Sequence, residues 1–130
     1  MSADLLRQGR ARAWLEAGIV HVEFPAGARI VLAMTEDVYQ QRLALLDSAP
    51  GPQKVLAWGT RVINLDYAAS RFTAGKPTAK ITRAMAIVVQ NTLERSLASM
   101  FMHMFRPAYP VALFEDRAAA LAWLATFPDP

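Results

Sequence analysis

Cysteine is absent from this chain of 130 residues, which excludes disulfides, thiol nucleophiles and thiolate metal sites. Long apolar runs are absent too. Apolar stretches such as residues 84–89 and 97–102, the latter interrupted by Ser99, are far shorter than the roughly 20 residues of a membrane-spanning helix. No apolar run follows the arginines near the start of the chain, so we expect no secretory signal. These absences predict a soluble, cytoplasmic protein.

Sequence patterns of common active sites are missing as well. There is no GxSxG pattern, phosphate loop or GxGxxG pattern. The two histidines, His21 and His103, have no second ligand at a metal-binding spacing. The paired carboxylates at 36–37 and 115–116 are typical of helix starts. The sequence therefore predicts a protein that is not an enzyme and has no cofactor and no metal site.

The composition is that of one folded domain. With 54% apolar and 19% charged residues, the chain can bury an ordinary core, so we predict a single domain over residues 1–130, with 1–10 as a polar lead-in. The net charge of +3 is too small to indicate nucleic-acid binding. Between residues 61 and 83, however, Asp66 is the one acid among five basic residues: Arg61, Arg71, Lys76, Lys80 and Arg83. This segment is either an ordinary solvated surface or a surface that attracts an anionic ligand or an acidic partner.

Hydrophobic periodicity predicts a β-hairpin followed by alternating helices and strands. Residues 12–16 and 19–24 alternate in the manner of strands and are joined by Ala17-Gly18. Further strands are expected at 29–32, 55–58, 83–89 and 111–114. Helices are expected from a Thr35 cap to before residue 48, over 66–73, from Asn91 or Thr92 to Phe105, and after an Asp116 cap. Gly75 and Pro77 end the second helix, so residues 76–83 begin as a loop.

Strands separated by helices need right-handed crossovers and parallel pairing, whereas the opening hairpin is antiparallel. The sequence therefore predicts an α/β fold with a mixed sheet of about four to six strands.

Three stretches resemble small bacterial proteins of the STAS-like class. They are WLEAGIV at 14–20, FMHMF at 101–105 followed by Arg106-Pro107 and Pro110, and the ending from residue 113 to Leu124. That class shares its fold with anti-sigma-factor antagonists and is loosely grouped with CRAL-TRIO lipid-carrier domains. The resemblance implies a STAS-like fold and a module that binds a protein or a small ligand.

In anti-sigma-factor antagonists, an Asp-Ser pair stands at the N-terminus of the helix after the central strand, and phosphorylation of its serine breaks partner binding. The matching place in this chain is Asp66-Tyr67, where the serine is absent. Ser70 lies one turn further along the helix. The resemblance therefore does not predict regulation of this chain by phosphorylation of a serine at the helix N-terminus.

The strand-to-helix corner at Asp66, Tyr67, Ser70 and Arg71 is the first candidate site. A helix N-terminus offers unpaired backbone N–H groups to a ligand or partner. Asp66 is either a structural helix cap or a contact residue. Tyr67 has an apolar ring with a polar tip, which suits a partly exposed interface.

The methionine-rich run at 100–105 is the second candidate. The spacing predicts a core-facing stripe: Leu93, Leu97, Met100, Phe101 and Met104. Met102 and Phe105 lie away from its centre, so the end of this helix is apolar nearly all round. Such a helix packs in the core, forms an interface with a partner or second copy, or covers an apolar pocket.

The sequence favours a non-enzymatic binding module of a regulatory kind that contacts a protein partner or itself as a homodimer. Its expected contacts are the Asp66 corner, with Tyr67, Ser70 and Arg71, and residues 76–83. The alternative is a carrier or sensor of a small apolar or amphipathic ligand beneath Phe101, Met102 and Phe105. A carrier needs an enclosed apolar cavity of several hundred cubic ångströms, within the roughly 300–1,000 Å³ typical of ligand pockets.

Overall fold

The computed structural model describes residues 2–129, with side chains from residue 4 onward. The strands are β1 (Arg12–Glu16), β2 (Ile19–Phe24), β3 (Arg29–Ile30), β4 (Gln53–Gly59), β5 (Asn64–Leu65), β6 (Thr82–Val88) and β7 (Val111–Phe114). The helices are α1 (Ser2–Arg7), α2 (Leu32–Leu45), α3 (Tyr67–Ala74), α4 (Lys76–Lys80), α5 (Thr92–Met100) and α6 (Arg117–Ala125). A π-helical turn, Phe101–Phe105, continues α5. The predicted lead-in at 1–10 contains α1, and Met1 lies outside the described residues.

The main sheet of the described chain has five strands in the order β1-β2-β4-β6-β7. β1 and β2 pair antiparallel, and every later neighbour pairs parallel. The predicted α/β fold with a mixed sheet and an N-terminal hairpin is confirmed. In the hairpin turn, Ala17 and Gly18 both have positive φ (51° and 78°), the backbone that a two-residue turn between twisted strands requires.

Helices cover both faces of this sheet. On one face, Val55 and Met85 pack against Val38 of α2 and Ala79 of α4. On the other face, Leu56 and its neighbours pack against α6, through Ala120 and Leu124. Because Val55 and Leu56 are adjacent in β4 and both fully buried, the central strand is apolar on its two sides, as predicted.

Two local predictions are wrong at the ends of elements. α2 begins at Leu32 rather than after a Thr35 cap, and Thr35 instead donates its hydroxyl to the carbonyl of Leu32 within the helix at 2.8 Å. The predicted strand at 29–32 is shorter, because β3 pairs with β5 over two residues only.

The segment 76–83 is not a loop. It forms α4 and then enters β6, with Pro77 in the first turn of α4. Proline is tolerated there because the first N–H groups of a helix have no acceptor within it.

Candidate functional site: an apolar face beside the Asp66 corner

The corner before α3 is built by a helix cap. Asp66 accepts a hydrogen bond from the Ala69 amide at 2.8 Å, and its own amide donates to the Ile30 carbonyl at 3.0 Å. Tyr67, the first residue of the helix, is 65% exposed, and Arg71 is exposed one turn later. Ser70 is buried at 2% exposure. The cap therefore directs Tyr67 and Arg71 outward and removes Ser70 from the surface that a partner can touch.

α5 is rotated relative to the sequence prediction. The buried positions of the helix are Glu94, Ala98 and Phe101, whereas Leu93 and Met100 are exposed. The predicted core-facing stripe is therefore wrong for Leu93, Met100 and Met104, and Leu97 is half-buried. A shift of one residue turns a helix by about 100°. Leu93, Met100 and Met104 consequently face the surface, while Phe101 stays in the core.

Glu94 explains this rotation. Its two carboxylate oxygens accept hydrogen bonds from the amides of Val62, at 3.0 Å, and Gln90, at 2.7 Å. Asn91 caps the same helix by accepting from the Glu94 amide at 2.8 Å. Two backbone donors stabilise a carboxylate in the interior, so a charged residue takes the inward position. The same bonds hold the loop after β4 against the start of α5.

This arrangement places apolar side chains side by side at the surface. Ile63 and Leu93 line one shallow depression between the loop and α5. Further along, the rings of Tyr67 and Phe105 meet edge to face at 5.3 Å between centroids. Phe105 is half-buried, and so is Met102. The structure thus brings together the two predicted segments, 66–71 and 101–105.

We call the exposed large side chains of this region the apolar face: Ile63, Tyr67, Leu93, Met100 and Met104. Met104 is 66% exposed. Four exposed arginines lie near these residues in the sequence. Arg95 is ion-paired with Glu115, and we call the other three, Arg61, Arg71 and Arg106, the basic rim. Within residues 2–129, none of the three rim arginines is ion-paired with a carboxylate.

Two residues of the basic rim have left-handed backbone conformations. Arg61 has φ 53°, and Arg106, which ends the π-helical turn, has φ 46°. Such conformations are uncommon outside glycine, asparagine and aspartate, and they concentrate at functional sites.

A cavity of about 130 Å³ lies behind the apolar face, between α5 and the sheet. Its wall is mostly apolar and includes Val22, Val55, Met85, Ala98 and Phe101. The volume is well below the several hundred cubic ångströms required of a carrier of lipid-like molecules. The predicted space beneath Phe101 exists, but it suits only a small molecule.

Arg42 of α2 also lines this cavity and is buried at 2% exposure. Its Nε donates to Gln53 at 2.8 Å, and its Nη2 donates to the carbonyl of Ile81 and the hydroxyl of Thr82 at 3.1 and 2.8 Å. Burial lowers the pKa of Arg42 to about 10, against the smaller raising effects of Tyr109 and Tyr39. Among residues 4–129, no carboxylate forms an ion pair with it.

An aromatic cluster lies on the opposite face of the sheet. His21, 3% exposed, stacks on Trp14 and meets Trp58 edge to face, with centroids 5.3 and 5.8 Å away. Arg117 lies over Trp58, with its Nη2 at 3.1 Å from Nδ1 of His21. Burial lowers the pKa of His21; Glu16 opposes this shift and Arg117 adds to it.

Comparison with known proteins gives one match. Residues 13–128 match a family model described as a domain of unknown function, DUF7793. The chain belongs to the DUF7793 family. No curated protein and no solved structure matches it.

Elsewhere in the DUF7793 chain, residues 4–129 contain no group of three or more histidine, aspartate or glutamate side chains that could hold a metal ion. Within the described part of the chain, no helix has the length and apolarity needed to cross a membrane.

Sequence reasoning missed Arg42 and Glu94 in the DUF7793 chain. A signal for Arg42 was present, since it lies four residues after Val38 and three before Leu45, on the apolar side of α2. A signal for Glu94 was its place three residues after the capping Asn91, where a carboxylate often bonds back to the chain before the helix.

Proposed function

We propose that this DUF7793 protein is a non-enzymatic binding module whose apolar face takes a protein partner with acidic side chains around an apolar contact. One observation carries the proposal. Seven large apolar side chains are exposed among the described residues, and five of them form the apolar face. Isolated exposed apolar residues are ordinary, whereas a contiguous group rimmed by polar residues marks an interaction site.

Charge supports the choice of partner. The basic rim has no carboxylate partner of its own among residues 4–129, and its exposed arginines lie close in sequence to residues of the apolar face. Acidic side chains on the partner would meet these arginines, and such complementarity speeds association and selects among partners. In a homodimer formed through this face, two basic rims would come together, so we assign the face to a different protein.

A regulatory role in the bacterial cytoplasm belongs to the same proposal and rests on the STAS-like resemblance of residues 14–20 and 101–105. The proposed regulatory role does not involve phosphorylation of Ser70, because a kinase needs an accessible hydroxyl and Ser70 is buried. A carrier of lipid-like molecules is disfavoured by the cavity of about 130 Å³.

Affinity purification from the native host tests this proposal with three forms of the full chain. Met104→Glu places a charge in the apolar face, and Ala122→Glu places the same charge on the exposed side of α6, across the sheet. We expect a partner retained by the wild type and by Ala122→Glu but lost with Met104→Glu, with retention falling as salt rises. Equal retention by all three forms would contradict the proposal.

A further inference from the structure

The cavity behind α5 combines an apolar wall with a buried cation. Apart from Arg42 and Glu94, its lining is made mainly of aliphatic and aromatic side chains. Two of the threonine hydroxyls in the wall are already engaged: Thr35 donates to Leu32, and Thr78 donates to the Phe72 carbonyl at 3.3 Å. Glu94 is engaged as well, since each of its oxygens accepts from a backbone amide. Tyr39, Trp58 and Thr73 contribute neutral polar groups to the wall, whereas Arg42 contributes a positive charge.

The guanidinium of Arg42 has five N–H donors. Nε uses one, and Nη2 uses two on Ile81 and Thr82. Within residues 4–129, Nη1 has no acceptor. The charge also has no carboxylate partner in the described chain. A buried charge is costly unless an opposite charge and hydrogen bonds compensate it.

We propose that this cavity binds a small apolar monocarboxylate, with the carboxylate on Nη1 of Arg42 and the hydrocarbon part against Val55, Met85 and Phe101. A single carboxylate supplies one negative charge and the acceptors that Nη1 lacks. A dianion such as phosphate would bring more charge than one arginine balances, into a wall that is otherwise apolar.

The cavity volume limits the length of the hydrocarbon part. An apolar cavity of about 150 Å³ accommodates benzene, so about 130 Å³ suits a molecule of roughly six or seven non-hydrogen atoms. Short branched acids such as isobutyrate and isovalerate are of this size. This proposal does not rest on the proposed function of the apolar face.

The test compares each acid with its amide, which has nearly the same shape and no charge. Isobutyrate and isobutyramide, and isovalerate and isovaleramide, are titrated into the full chain at neutral pH. Methyl NMR signals of Val55 and Met85 and the Nε–H signal of Arg42 are followed. We expect saturable shifts at all three residues and binding of each acid at least about tenfold tighter than its amide.

Two variants locate the site. Ala98→Leu fills the cavity without touching Arg42 and is expected to abolish acid binding, whereas Ala122→Leu on the exposed side of α6 leaves it unchanged. Arg42→Met is expected to remove the preference for acid over amide. Should Arg42→Met not fold, the acid-to-amide ratio of the wild type and the Ala98→Leu result still decide the matter. Equal binding of acid and amide, shifts confined to the surface, or no saturable shift with either acid would overturn the proposal.

Discussion

Tyr67 and Phe105 meet edge to face, with ring centroids 5.3 Å apart and ring planes at 63°. The two residues belong to elements far apart in the sequence, the first turn of α3 and the end of the π-helical turn. Their contact joins the Asp66 corner to the methionine-rich segment. The two sets of residues that the sequence singles out separately therefore form one surface.

This ring contact should be measurable as a coupling energy. In a double-mutant cycle of Tyr67→Ala and Phe105→Ala, we expect a coupling of about 0.5–1 kcal/mol, in the range found for aromatic pairs. Urea denaturation of the four proteins measures it. The pair Tyr39 and Phe72, whose centroids are 5.6 Å apart on α2 and α3, serves as the reference. If the changes in unfolding free energy caused by Tyr67→Ala and Phe105→Ala simply add in the double mutant, the two segments are not held together through these rings.

Glu94 should stabilise the fold and hold the loop beside Ile63. Glu94→Ala leaves the amides of Val62 and Gln90 without their acceptor, and each buried unpaired group costs about 1–3 kcal/mol. We expect a loss of about 2–4 kcal/mol of unfolding free energy by denaturant titration. Hydrogen exchange at Val62 and Gln90 should become faster. Glu115→Ala, which removes an exposed ion pair with Arg95, is the control and should cost less than about 1 kcal/mol.

Arg106 should be strained at the end of the π-helical turn. With φ at 46°, an arginine there is less favourable than glycine, so Arg106→Gly is expected to stabilise the protein by up to about 1 kcal/mol. Arg95→Gly, in the middle of α5, should instead destabilise it by about 1 kcal/mol. Thermal denaturation of both variants measures these opposite changes in stability. If Arg106→Gly also weakens partner binding, the arginine at this strained position contributes its charge to the basic rim. If Arg106→Gly instead lowers the stability of the protein, the backbone at this position is not strained.

His21 should make stability fall in mild acid. Burial lowers its pKa in the folded protein below the ordinary value of 6.5, so the unfolded chain takes up a proton first. Stability is then complete above about pH 6.5 and declines as the pH falls from there to the lower folded pKa.

Denaturant titrations between pH 5 and pH 8 measure this slope, and His21→Phe should flatten it. The hydrogen bond from Arg10 lowers the pKa of Asp37, so its contribution is complete above the unfolded value of 3.8 and is lost as the pH falls from there through the lower folded pKa. The two effects therefore occupy separate ranges of pH. An unchanged slope in His21→Phe would assign the effect to another group.

Features set by neighbouring residues were predictable from the sequence. Alternation on both sides of Ala17-Gly18 predicted the hairpin of β1 and β2. Asp116 caps its helix as predicted, and Asp66 and Asn91 are caps among the alternatives that the sequence left open, because a cap needs only an acceptor and an amide three residues later.

Features set by distant partners were not predictable from periodicity. The hydrogen bond between Glu94 and the Val62 amide turns α5 and exposes Leu93 and Met104, and nothing near Glu94 in the sequence indicates Val62, 32 residues earlier, as its partner. Likewise, Arg42 is buried because Gln53, Ile81 and Thr82 surround its guanidinium, and all three lie on later segments of the chain. Periodicity assigns charged side chains to the exposed side of a helix. Because Glu94 faces inward, the apolar stripe predicted for α5 is on the wrong side.

The most direct measurement of the proposed binding role is photo-crosslinking in the native host. A photoreactive amino acid replaces Met104 in the apolar face in one strain and Ala122 on the far side of the sheet in another. We predict a discrete adduct with a different, acidic protein from position 104, absent from position 122 and weakened by Arg106→Glu. An adduct between two copies of this chain, the same adducts from both positions, or none from position 104 would contradict the account.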